Sequence, residues 1–160
     1  RDAAPRRVPV LLKIAPDLAE AELEDIAAEV ADKDVDGVIV SNTTISRPAL
    51  KSAALAGETG GLSGKPLFER STVALARMRR LVGPERALIG VGGVDSAETA
   101  LEKIRAGADL VQLYTGMIYE GPGWPGQVVS SLSKLLDRER VGSIRDLRDA
   151  KLDYWANRNV

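Results

Sequence analysis

Lys13 stands between Leu12 and Ile14 in the apolar run "VPVLLKIAP". A lysine there must either snorkel to water or meet an anionic partner, because an unpaired buried ammonium is costly. Its possible chemistries are a Schiff base with a carbonyl substrate or a cation beside an anionic ligand. The bland alternative is a strand-end lysine that reaches solvent. A second group closes "DGVIVSNTT", where Val38, Ile39 and Val40 give way to Ser41, Asn42, Thr43 and Thr44. Asn42 carries both a donor and an acceptor, which suits an amide or a carboxylate. It equally suits an Asx-turn, as Thr43 and Thr44 suit ordinary hydroxyl turns.

A third group is built on glycine: Gly92-Gly93, and Tyr114-Thr115-Gly116. Glycine allows close backbone approach, and backbone N–H groups with a threonine hydroxyl can hold a phosphate. Tight strand-to-helix turns would use the same residues. Two better-known phosphate motifs are approached and missed. In "GVGGVD", Gly90-x-Gly92 is followed by Asp95 where a dinucleotide fingerprint needs its third glycine. In "GLSGKP", Thr59 stands five residues before Gly64 and Pro66 follows Lys65, which breaks the nucleoside-triphosphate loop. That stretch ends a connection of about twenty residues, a length usually reserved for functional lids or disordered segments. Gly57, Gly60, Gly61 and Gly64 exceed the needs of one turn and predict backbone packed against a flat or phosphorylated ligand.

Composition narrows the field. The 160 residues are enough for one domain with an ordinary core. Apolar residues make up 44% and aromatics only 4%, so the core rests on Ala, Val, Leu and Ile. A net charge of -1 gives no long-range steering toward nucleic acid or anionic lipid. With no cysteine and no histidine, disulfides, thiolate nucleophiles, histidine triads and Cys or His metal ligands are excluded within this chain, and no metal site is expected. No apolar run reaches the roughly eighteen residues of a membrane span. The start "RDAAPRRVPV" has neither Met nor a signal-type apolar region, and reads as a piece of something longer.

The elements that must position these groups follow from hydrophobic pattern. "VPVLLKIAP", "DGVIVSN", "RALIGVGGV" and "ADLVQLYTG" are continuous apolar segments, as in parallel strands covered on both faces. Helical patterns follow each. "PDLAEAELEDIAAEVADKD" sets Leu18, Leu23, Ile26, Ala27 and Val30 on one stripe behind a capping box of Asp17 and Glu20. "PLFERSTVALARMRRLVG" stops at Gly83-Pro84. "DSAETALEKIRAGA" opens with Asp95 and Glu98 and closes at Gly107, and "GQVVSSLSKLLDRER" is the fourth. Strand and helix alternate four times, which predicts an α/β parallel sheet. A small doubly wound sheet and the C-terminal half of a (β/α)8 TIM barrel both fit. The polar groups gather at every strand's carboxyl end, and a barrel brings all four ends around one mouth, which favours the half barrel. The division expected is residues 1–136 for the half barrel and 137–160 for a helical tail, with Ile144, Leu147, Leu152 and Trp155 as its packing face.

Taken together, "LLKIAPDL", "DGVIVSNTTISRP", "ETGGLSGKPL", "LIGVGGVDSAETALEKIRAGADLVQLYTG" and the following "GP" resemble the C-terminal half of dihydroorotate dehydrogenase, and "KIAPDL" resembles its class 2, quinone-dependent branch. The resemblance runs from about Val8 to Leu136 and is specific only in combination. It implies an FMN-containing (β/α) barrel that oxidises dihydroorotate to orotate in pyrimidine synthesis. By motif it places Lys13 beside the flavin N1 and O2 edge, and Ser41 at a flavin contact where the family often has Thr. Gly64 and Gly93 fall at FMN backbone contacts, Tyr114 and Thr115 at the phosphate-binding turn, and Asn42 and Thr43 at the pyrimidine. It also implies that the catalytic base is a serine in the other half of the barrel. Further substrate asparagines lie in that half, and the quinone entrance and membrane contact lie in an N-terminal extension. Those parts are not among these residues, so the chain alone is expected to have no turnover. The implied place of the whole protein is the cytoplasmic face of the bacterial inner membrane, peripherally bound, or the mitochondrial inner membrane in a eukaryote. Two rivals stand beside this reading: a Schiff-base aldolase using Lys13, and a non-catalytic half barrel that covers its open edges with a partner.

Overall fold

The computed structural model describes residues 6–47, 50 and 56–160. The opening five residues and the middle of the long connection, to which the sequence assigns a truncated start and part of a lid, lie outside the described residues. Strands β1 (Leu11–Ile14), β2 (Gly37–Val40), β3 (Ala87–Val91) and β4 (Leu110–Gln112) alternate with helices α1 (Glu20–Asp32), α2 (Phe68–Val82) and α3 (Ala97–Arg105). After β4 come α4 (Thr115–Glu120), α5 (Trp124–Glu139) and α6 (Leu152–Ala156).

The pairings among these four strands are parallel and the sheet order is β1-β2-β3-β4. A doubly wound sheet would reverse direction at a switch point; this one advances steadily, as barrel strands do. Alternation puts Leu12, Ile14, Val38, Val40 and Leu88 on one face. There Ile14, Val38, Val40 and Leu88 pack with Leu23 and Val30 of α1 and with Val73, Leu75 and Met78 of α2. The other face carries Lys13, Ile39, Ile89 and Leu110 side by side. Leu110 is 62% exposed, so only one face is covered by helices among the described residues. The continuous apolar strands are thus those of a barrel wall, and not of a sheet sandwiched between two helix layers.

The acidic residue before a strand has a repeated use. Asp36 gives its N–H to Val10 O (3.0 Å) and accepts the Val10 N–H on its carboxylate (2.7 Å). Asp109 treats Leu88 in the same way, at 2.8 Å in both directions. Each carboxylate therefore fastens the entry of its strand to the neighbouring strand.

Two helix starts differ from the expected ones. Ala19, not Asp17, precedes α1, and Glu22 rather than Glu20 reaches back to its N–H at 2.7 Å. Asp17 is taken by residues far along the chain: its carboxylate accepts the Thr44 hydroxyl and the Ile45 N–H (3.0 Å). At α3 the cap is Ser96, whose Oγ accepts the Thr99 N–H (3.1 Å) while Thr99 Oγ1 accepts from Ser96 N (3.0 Å). The Asp95 carboxylate accepts the Thr99 hydroxyl at 3.3 Å and pairs with Lys65 at 2.8 Å. The last helix of the pattern begins two residues earlier than expected, at Trp124.

Residues Ile144–Leu147 form a 3-10 turn, and α6 lies against α2. Trp155 and Ala156 are buried in the main core, and Trp155 meets Phe68 edge to face with ring centres 5.8 Å apart.

Candidate functional site

The carboxyl ends of the four strands open into a cleft of about 810 Å³. Lys13, Ser41, Asn42, Thr43, Gly64, Gly93, Tyr114 and Thr115 all line it. Residues more than a hundred positions apart are brought together because parallel strands all end on the same side.

The segment after β2 is held on both flanks. Ser41 N–H donates to Val91 O of β3 (3.2 Å), and Asn42 N–H donates to Ile14 O of β1 (2.8 Å). The Val40–Ser41 peptide is cis. Ser41 is 1% exposed and its hydroxyl donates to Asn42 O (3.0 Å), so this side chain belongs to the cleft wall. Asn42 Oδ1 accepts the Thr43 N–H (2.9 Å), the local bond that the turn reading anticipates. Its amide NH2 takes no acceptor among the described residues and remains a donor toward the cleft. Thr44 is structural: buried, bonded to Asp17, and paired with Leu62 through both backbone groups (3.1 and 2.8 Å).

The long connection returns across Thr43. A Cβ on Gly61 would stand 1.9 Å from Thr43 Oγ1, so only glycine fits there. Farther on, Thr115 Oγ1 donates to Ser63 Oγ at 3.0 Å. Gly64 has φ +78°, and a Cβ there would lie 3.2 Å from Thr115 Cγ2. Gly93, at φ +71°, presses on the start of α2, where a Cβ would fall 2.4 Å from Phe68 Cβ. Its N–H has no acceptor among the described residues. Tyr114 precedes α4 and is 69% exposed.

Lys13 makes no hydrogen bond or ion pair among the described residues, leaving a free cation on one side of the cleft. The structure adds a second lysine, Lys65, that the sequence does not mark as a site residue. Lys65 reaches Asp95 at 2.8 Å across the mouth, and this hydrogen bond raises its pKa above the usual lysine value. Its signal is its place in "GLSGKP", directly after Gly64 in a glycine-rich connection. Trp124 and Tyr119 complete the wall and carry no local signature in the sequence.

A cleft with an unpaired cation at one side, and an unclaimed backbone N–H with close-packed glycines at the other, suits an elongated ligand with an anionic end. Comparison with known proteins identifies the relatives of the chain. A family profile described as dihydroorotate dehydrogenase matches residues 2–136. A dihydroorotate dehydrogenase (quinone) of Mesorhizobium japonicum is 67% identical over 158 residues, which is 99% of this chain and 44% of the relative. One from Rhizobium rhizogenes is 69% identical over 157 residues, 98% of this chain and 43% of the relative. Among solved structures, the Eimeria tenella enzyme in complex with ferulenol superposes with a TM-score of 0.86 at 38% identity, covering 93% of this chain and 40% of that one. The chain thus spans less than half the length of the relatives it matches. With four β/α units in barrel order, a family profile matched over residues 2–136 and two-thirds identity to the two bacterial relatives, the chain belongs to the dihydroorotate dehydrogenase family.

Proposed function

We propose that these residues form the flavin-holding part of a quinone-linked dihydroorotate dehydrogenase, with FMN in the cleft at the strand ends. The observation that carries this reading is the shared cleft, with free Lys13 on one side and the Gly93 N–H and Thr115 on the other. The residues fit the group: Gly64 and Gly93 each approach a neighbour at a distance that a side chain would obstruct, leaving backbone available to a phosphate. Bound there, FMN supplies the two-electron acceptor for oxidation of dihydroorotate to orotate, with electrons passing on to a quinone.

The chain's own residues supply position and charge. Lys13 places a positive charge where negative charge on a flavin ring is stabilised. The Asn42 amide, held by its bond to Thr43 N–H, offers donors to a pyrimidine carbonyl or carboxylate, and Thr43 adds a hydroxyl beside it. Ser41 shapes the wall, and Tyr114, Thr115, Gly64 and Gly93 receive the phosphate end. Residues 1–136 act as the platform and 137–160 as a brace behind α2. The proton-abstracting serine, the quinone entrance and the peripheral membrane contact belong to parts of the protein outside these residues. Among the described residues no helix is long and apolar enough to cross a membrane.

The test is to purify the native polypeptide that carries this segment, identify its extracted flavin, and follow dihydroorotate-dependent quinone reduction. Lys13→Gln should keep the substrate preference and lower turnover strongly. Covalent trapping of Lys13 by borohydride with a carbonyl substrate, in a protein without flavin, would establish the aldolase reading instead.

A further inference from the structure

Lys103 is a fully buried lysine in α3, lying on the stripe shared by Ala100 and Ile104. Among the described residues it has no carboxylate partner. Its Nζ donates to Ser71 Oγ of α2 at 2.6 Å and sits 5.1 Å from the centre of the Phe68 ring. Ser71 Oγ lies 3.1 Å from two carbonyls, Phe68 O and Gly92 O, but has one proton to give. Phe68 O already accepts from the Thr72 hydroxyl at 2.6 Å. Gly92 O is therefore the acceptor that most needs the Ser71 proton, and the Lys103 donor occupies the hydroxyl's lone pair so that this proton stays turned toward it.

The consequence follows from peptide geometry. In a trans peptide the C=O and the next N–H point in opposite directions. Fixing Gly92 O toward Ser71 turns the Gly93 N–H away from α2, toward the cleft that Gly93 lines. A Cβ on Gly92 would stand 2.7 Å from Ser71 Oγ, so glycine is what lets the hydroxyl approach.

We propose that Lys103 and Ser71 are positioning residues that aim the Gly93 N–H at the phosphate of the bound cofactor. They touch no ligand themselves. This rests on the FMN reading above, and its test separates the two. The native polypeptide is stripped of flavin and titrated with FMN and with riboflavin, which lacks the phosphate. Lys103→Met keeps the buried stem and loses the donor; Ser71→Ala, a smaller change, serves should the first variant fold poorly. Each is expected to weaken FMN about five- to tenfold, the scale of one hydrogen bond, with riboflavin affinity unchanged. The double variant should lose no more than either single one, because the two bonds act in series. Equal losses for FMN and riboflavin would show general loosening and overturn the proposal, as would unchanged FMN affinity in both variants. A parent protein that binds riboflavin as tightly as FMN would defeat the phosphate reading itself, and this proposal with it.

Discussion

Arg79 and Asp109 form a 2.7 Å ion pair that ties α2 to the entry of β4, with Arg79 only 2% exposed. The same guanidinium donates to Gly107 O (2.8 Å), Gly83 O and Arg86 O (both 3.0 Å), and approaches Asp149 at 3.3 Å. The acid that fastens β4 to β3 is thus also the anchor of a buried cation at the end of the sheet opposite the cleft.

Arg79→Leu should cost about 3–5 kcal/mol, since it leaves three carbonyls and part of the Asp109 charge without a partner. Urea unfolding of the native polypeptide would measure it. A loss under about 1 kcal/mol would mean that Arg148 alone satisfies the acid.

Acid should undo part of this arrangement. Burial opposes the charge on Asp109, but the Leu88 N–H, Arg148 and Arg79 outweigh it and hold the carboxyl below its ordinary 3.8. Glu102 is likewise held below 4.5, with burial offset by Lys151, Arg105 and Trp155. Both acids bind protons more readily when unfolded, so their contribution is full above these values and declines as pH falls through the lower folded ones. Stability should therefore drop below about pH 4.5, and Asp109→Asn should lower the neutral value while flattening that decline.

Lys103 predicts a slope of the other kind. Burial pushes its ammonium well below the usual lysine value of 10.5. Between its folded value and 10.5 the unfolded chain holds a proton that the folded chain lacks, so this group's contribution rises with pH, at most by about 1.4 kcal/mol per unit. Relative to the parent, Lys103→Met should be more stable at neutral pH than near pH 10. Denaturation midpoints of the pair at both pH values would show it, and a constant difference would mean that the amine is charged in the fold.

Gly93→Ala should destabilise by about 2–4 kcal/mol, combining left-handed backbone with a methyl pushed into Phe68. Loss of flavin on gel filtration should accompany the lower unfolding midpoint. An alanine variant with unchanged stability would show that the turn can open away from α2.

The amino-acid sequence carries the alternation of strands and helices and the polar character of every strand end, because both are local patterns. It also marked Lys13, Asn42 and Gly93 as unusual, since a lysine in an apolar run or a glycine pair at a strand end is visible without a fold. The partners those groups take are set by the folded chain. Asp17 and Asp95 carry sound capping signals, yet Thr44 and Ile45, 27 and 28 positions away, claim the first, and the second, besides the Thr99 hydroxyl of its own helix, takes Lys65. Lys103 looks like an exposed charge on a short helix until Phe68 and Ser71 close over it. A carboxylate or an amine binds whichever partner the folded chain brings within reach, and that choice is made by contacts far apart in the sequence.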